Sequence, residues 1–139
     1  FDKLIKKIPG AENSIEIIYS NNIYTYFEKF NAAIRTTDIL WTKPSELSFY
    51  CGLGLPLILT SAIGSQEIFN RKWLFELNVG IKQENPEYTK DWLFDMLNSG
   101  RLAEAAWSGF LKSRKLGVYK IEEIIATGKM SSDNSYVFR

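Results

Sequence analysis

The six residues Leu55–Thr60 read LPLILT, five apolar side chains in a row closed by a threonine. A strand with one face in water alternates apolar and polar residues. A strand without alternation has both faces covered, the situation of a parallel sheet held between layers of helices. Parallel strands cannot be joined by tight turns and need crossover connections, usually helical. This short run therefore dictates what must surround it.

The surroundings comply. Asp38–Thr42 (DILWT) is a strand candidate, and Pro44-Ser45 opens a helix that turns Leu47, Tyr50 and Cys51 inward and stops near Gly52–Gly54. Ser61–Gly64 then leads to Ser65, expected as an N-cap, and to a helix through Asn78 with Ile68, Phe69, Trp73, Leu74 and Leu77 on one side. Gly80–Gln83 makes a further strand, and Asn85-Pro86-Glu87 turns the chain into a helix through Leu97, broken at Asn98–Gly100. Small residues mark the next helix (Leu102, Ala105, Ala106, Gly109, Phe110), and Tyr119–Ala126 forms a last one. Upstream, Phe1–Ile8 carries a helical face, Pro9-Gly10 ends it, and Ser14–Ser20 (SIEIIYS) has the β-branched apolar composition of a strand. Asn21-Asn22 caps a helix bearing Ile23, Tyr26, Phe27, Phe30, Ala33 and Ile34.

The alternation predicts an α/β fold: a Rossmann-like parallel sheet with helices on both faces. Four strands behind a leading helix are few for a doubly wound sheet, so the first one or two strands are expected to be missing from the chain. Residues 1–128 are expected as one partial domain and 129–139 as an irregular tail. The length of 139 residues suits one domain, which buries roughly two-thirds of the surface its unfolded chain exposes.

Seventeen Lys+Arg against sixteen Asp+Glu give a net charge of +1, which predicts no nucleic-acid partner. No apolar run reaches the roughly eighteen residues of a transmembrane segment. The chain has no histidine, which removes Ser-His-Asp and Cys-His catalysis and every His-ligated metal site. The single Cys51 is read as inert packing, and such cysteine usage suits a reducing, cytoplasmic setting. Trp41, Trp73, Trp92 and Trp107 lie on apolar stripes and are expected in the core.

In an open parallel sheet, ligands bind beyond the carboxyl ends of the strands, where loops feed helix N-termini. Gly64 allows close backbone approach, and the N–H groups after Ser65 offer a place for phosphate or hydroxyl oxygens. Gln66 and Glu67 begin that helix and pair an amide with a carboxylate, a combination suited to a sugar diol; Asn70 follows one turn on. Ordinary helix-start chemistry accounts for Ser65 and Glu67 equally well. Gly52-Leu53-Gly54 completes no phosphate-loop motif and precedes a strand, the wrong side for one.

The ordered run Thr37–Leu74 (TDILWTKPSELSFYCGLGLPLILTSAIGSQEIFNRKWL) resembles the C-terminal domain of two-domain GT-B glycosyltransferases, in the family of MurG and the monogalactosyldiacylglycerol synthases. The matching features are Asp38, the loop Lys43–Ser45, Gly54-Leu55-Pro56, Gln66-Glu67 and Asn70. The resemblance implies that this chain is the nucleotide-sugar-binding part of a bacterial glycosyltransferase, with Gln66, Glu67 and Asn70 on the donor sugar. Lys43, Ser45, Glu46, Gly64 and Ser65 would then lie by the nucleotide and its phosphates. Where the family places a ribose-holding glutamate this chain has Phe49, and Glu46, nearly one turn earlier, is the substitute.

The same resemblance implies a UDP-sugar donor, hexosyl transfer to an acceptor hydroxyl, no cofactor and no protein-held metal. It assigns no catalytic residue to this chain, because the base would come from an N-terminal acceptor domain of the same protein. The fragment by itself would then be inactive. An edge left by missing strands invites a homodimer. Two other readings stay open: a non-catalytic Rossmann-like interaction module that has lost the donor site, and a receiver-like signalling domain. The receiver needs acidic residues at strand carboxyl ends, whereas Asp38 begins its strand.

Overall fold

A computed structural model describes residues 8–45 and 47–129. The chain divides between Thr37 and Asp38 into two compact units.

The first unit contains a 3-10 turn at Ala11–Asn13 and helix α1 at Ile23–Ile34. Asn22 caps α1 as expected, its side-chain oxygen accepting from the backbone N–H of Tyr24 at 2.9 Å and of Thr25 at 3.3 Å. Along α1, Phe30 stacks on Tyr26. The strand expected at Ser14–Ser20 does not form: the segment is irregular, and Ile15, Ile17 and Tyr19 are exposed. Its composition is right, but a strand exists only through a neighbour's backbone, and no described strand pairs with it. The leading helix expected at Phe1–Ile8 lies, Ile8 apart, outside the described residues.

The second unit is mixed α/β, built on a three-stranded parallel sheet. Its elements run β1 (Leu40–Thr42), α2 (Leu47–Gly52), β2 (Leu57–Leu59), α3 (Ser65–Glu76) and β3 (Gly80–Lys82). A 3-10 turn at Pro86–Tyr88 then leads to α4 (Thr89–Asn98), α5 (Arg101–Lys112) and α6 (Gly117–Thr127). The strands lie in the order β1-β2-β3, with Leu40 opposite Leu57 opposite Gly80 and Trp41 opposite Ile58 opposite Ile81. All three residues of central β2 are buried, as the unalternated run requires.

Helices cover both faces of the sheet. On one face, a Cβ at Gly80 would stand 2.9 Å from Leu59 Cδ1, 3.0 Å from Leu74 Cβ and 3.2 Å from Phe75 Cδ1, so glycine lets α3 settle onto β3. On the other, Ile81 joins Leu102 and Ala105 of α5, with Ile39, Leu93 and Met96 packed around them. Helix α5 also crosses α2, where a Cβ at Gly109 would lie 2.9 Å from the Cys51 carbonyl oxygen. The breaks fall where the sequence places them: Gly54 and Gly100 adopt φ of 79° and 78°.

Two local expectations change. The helix expected through Asn78 ends at Glu76, because Asn78 itself turns left-handed at φ 64°, a conformation asparagine tolerates. Trp41, Trp73 and Trp107 are exposed and Trp92 half-buried, so the tryptophans are not core. The indole N–H groups of Trp41 and Trp92 explain their place at the rim: they donate to Gln83 Oε1 at 2.7 Å and to the Asn85 carbonyl at 2.9 Å. No described helix is long and apolar enough to cross a membrane. The tail expected from residue 129 onward lies, Lys129 apart, outside the described residues.

Candidate functional site at the carboxyl edge of the sheet

Because β1, β2 and β3 are parallel, the loops that follow them emerge at one edge. The first is Lys43-Pro44-Ser45. Pro44 is buried, and the Ser45 N–H donates to the Lys43 carbonyl at 2.8 Å, a tight turn that leaves Lys43 and Ser45 exposed. Glu46 lies outside the described residues.

The second loop, Thr60–Gly64, delivers α3. Gly64 stands at φ 90°, ψ 167°, a backbone that L side chains rarely adopt, and it rather than Ser65 occupies the N-cap position. No side chain caps the helix from there, and Ser65 is the first helical residue. Glu67 instead fastens the loop to the helix, its Oε2 accepting from the N–H of Ile63, the residue before the N-cap, at 2.6 Å. The bond differs from a capping box, because the carboxylate reaches the residue before the N-cap and Gly64 has no hydroxyl to cap the helix N–H groups. The sequence signal was a glutamate three residues past a glycine.

The first intrahelical bond of α3 runs from the Ile68 N–H to the Gly64 carbonyl at 3.2 Å. The N–H groups of Ser65, Gln66 and Glu67 consequently have no intrahelical acceptor, and the helix dipole adds partial positive charge there. Gln66 is exposed on this first turn. One turn on, the Asn70 Nδ2 donates to the Pro44 carbonyl at 3.0 Å and to that of Ser45 at 3.4 Å. Asn70 thereby ties the loop after β1 to the helix after β2, so Lys43–Ser45 lie beside the face of α3 that carries Gln66.

One residue that sequence reasoning missed stands between these loops. The Thr60 N–H donates to the Thr42 carbonyl at 3.0 Å and the Gln83 N–H to the Leu59 carbonyl at 3.0 Å, so the ladder continues one step beyond the strands. That step sets Lys43, Thr60 and Gln83 in one row across the edge. The Thr60 Oγ1 is buried without a hydrogen-bond partner, an arrangement that costs about 1–3 kcal/mol when nothing satisfies it. A threonine ending an apolar run was the available signal.

The site thus combines free helix-start N–H groups, an orphan hydroxyl, a lysine and an exposed amide. A neutral or anionic oxygen-rich ligand matches that set of donors. Nothing here makes a nucleophile of Cys51, which lies buried in α2, where burial pushes the thiol up to about 12. Among the described residues, no group of three or more His, Cys, Asp or Glu could hold a metal ion. A cleft of about 450 Å³ lies toward the other end of α3, lined by Ser48, Trp73, Leu77, Lys112, Ser113 and Arg114, and includes none of the residues singled out at the carboxyl edge.

Comparison with known proteins gives one family. The family model described as "Domain of unknown function (DUF6938)" matches residues 1–123. No curated protein and no solved structure matches the chain.

Proposed function

The chain belongs to this domain family of unknown function, and from the chemistry of the sheet edge we propose that it is the nucleotide-sugar-binding part of a GT-B-like glycosyltransferase. In this reading the parallel sheet is a partial Rossmann-like domain in a cytoplasmic protein. The donor is a UDP-sugar laid across the loops after β1 and β2. The observation that carries the reading is the Asn70 bridge, which holds Lys43–Ser45 against the start of α3 next to an unpartnered Thr60 hydroxyl.

In this reading each group takes a role that its position supports. The N–H groups of Ser65, Gln66 and Glu67 hold phosphate oxygens, favoured by the helix dipole. Lys43 adds positive charge on the neighbouring loop, and the Gln66 amide takes sugar hydroxyls. As the glycosyl–phosphate bond breaks, the charge that develops on the leaving diphosphate meets donors already in place. A base from the acceptor-binding part of the protein removes the proton of the acceptor hydroxyl. Glu67 and Asn70, expected on the donor sugar, shape the loops through the bonds they make within the chain.

Those same internal bonds favour a second reading, a non-catalytic interaction module with the sheet intact and the donor site lost. Titration of UDP and UDP-hexoses into the natural full-length protein, followed by heat or amide shifts, separates the two. The donor reading expects saturable binding that weakens about tenfold in Lys43→Ala and Gln66→Ala. Absence of any response, or binding indifferent to both changes, leaves the interaction module.

A further inference from the structure

Trp41 lies on β1 and Gln83 just past β3, two strands away, yet the indole N–H donates to the Gln83 Oε1 at 2.7 Å. The bond therefore crosses the end of β2. Trp41, Ile58 and Ile81 stand opposite one another in the ladder, and Ile81 packs against Leu102 and Ala105 of α5. Residues two apart on a strand share a face, so Gln83 lies on the same side of the sheet as Ile81 and Trp41. This is the face away from α3, whose Leu74 and Phe75 meet the sheet at Gly80.

An indole N–H donates and accepts nothing, so the amide oxygen of Gln83 must be the atom that faces it. The amide is thereby fixed one way round, with Nε2 and its two hydrogens turned from the indole. Nε2 has no partner among the described residues. Gln83 is half-buried, and Trp41 keeps 41% of its surface exposed. The neighbouring Trp92 ring meets Trp41 edge-on at 5.4 Å and directs its own N–H to the Asn85 carbonyl. Packing thus accounts for Trp92, and it leaves an open indole surface beside an oriented donor.

We propose that Trp41 and Gln83 hold the nucleobase of the donor, its ring stacked on the indole and a base carbonyl accepting from Gln83 Nε2. The inference rests on the donor reading, to which it adds the choice of base. Lys43, two residues past Trp41, begins the loop that Asn70 ties to α3, so one short stretch of chain joins the base to the diphosphate. Stacking is indifferent to the base, because every base has a π face. The fixed amide is not: donors turned outward suit the carbonyl of uracil or guanine and oppose the amino group of cytosine or adenine.

UDP and CDP carry the same ribose and phosphates and differ only at the base edge, so the ratio of their affinities reads this contact. Titration into the natural full-length protein is expected to show UDP binding at least about tenfold tighter than CDP. Gln83→Glu keeps an oxygen for the Trp41 N–H and turns an acceptor outward, and it is expected to reverse the preference. Trp41→Leu is expected to weaken UDP about tenfold and to narrow the ratio, since the amide is no longer held. UDP binding no tighter than CDP, a ratio unchanged in Gln83→Glu, or UDP binding indifferent to Trp41→Leu overturns the base assignment and leaves the donor reading standing. Absence of binding by either nucleotide overturns both.

Discussion

The side-chain amide of Asn70 donates to the carbonyl of Pro44 across 3.0 Å, so a residue in the fourth position past Gln66 holds down the loop after a different strand. Pro44 has no N–H and fixes its own φ, so its buried ring and this bond define the course of the loop. Asn70→Ala removes that bond and the longer one to Ser45. The expected cost is about 1 kcal/mol, read as a lower urea midpoint at constant slope. Asn70→Asp is expected to cost more, because a carboxylate would face two carbonyl oxygens. An aspartate variant as stable as the native protein would show that the bridge does not hold the loop.

Gln66 and Glu67 are adjacent in sequence and separable in role. Glu67→Ala breaks a charge-assisted bond to the Ile63 N–H, and a loss of about 1–2 kcal/mol is expected, together with faster amide exchange at the start of α3. Gln66→Ala changes an exposed side chain, so its stability should stay within about 0.5 kcal/mol while nucleotide-sugar binding weakens. Exchange of these outcomes between the two variants would reverse the assignment.

The contrast between Leu55–Thr60 and Ser14–Ser20 shows what the amino-acid sequence makes legible. The first run declares burial on both faces, and β2 is buried throughout because two neighbours and two helix layers are present. The second has the β-branched composition of a strand, yet a ladder is a non-local object and local composition cannot supply the partner. The tryptophans teach a related limit. Periodicity names a face of a helix but not its depth, and a large ring with one donor settles at rims, as Trp41 and Trp92 do. At the site, Gly64, Gln66 and Asn70 were visible from spacing. The shift of the cap from Ser65 to Gly64 was not, because it depends on a backbone at φ 90°. Thr60 was hidden for a different reason, since an orphan hydroxyl is defined only by what fails to surround it.

Gly109 tests the packing of α5 on α2. A methyl group there would stand 2.9 Å from the Cys51 carbonyl oxygen and 3.2 Å from Val79 Cγ1, with backbone on one side and a buried side chain on the other. Neither yields easily. Gly109→Ala gains helix propensity, worth about 1 kcal/mol, but the overpacking costs about 1–3 kcal/mol and is expected to win. Gly117→Ala, at a position with open space around it, is the control and should be neutral or stabilising. A more stable Gly109→Ala protein would mean that α5 and α2 can move apart at little cost.

Cys51 supplies a pH dependence whose sign is fixed by burial. The thiol is fully enclosed, and desolvation raises it from an ordinary 9.0 to about 12. Above pH 9 the unfolded chain loses this proton and the native chain keeps it, so the native state binds more protons and its stability falls as pH rises. The contribution is complete below pH 9 and declines through the window up to about 12. The measurement is a comparison with Cys51→Ala, which isolates the thiol's share. Between about pH 8 and about pH 10.5 the native protein should lose about 2 kcal/mol more than the variant. The same burial predicts that iodoacetamide leaves Cys51 unmodified in the folded protein and alkylates it once urea has opened the α2–α5 contact. Parallel stability curves for the two proteins, or rapid alkylation without urea, would place the thiol in reach of water and undo both expectations.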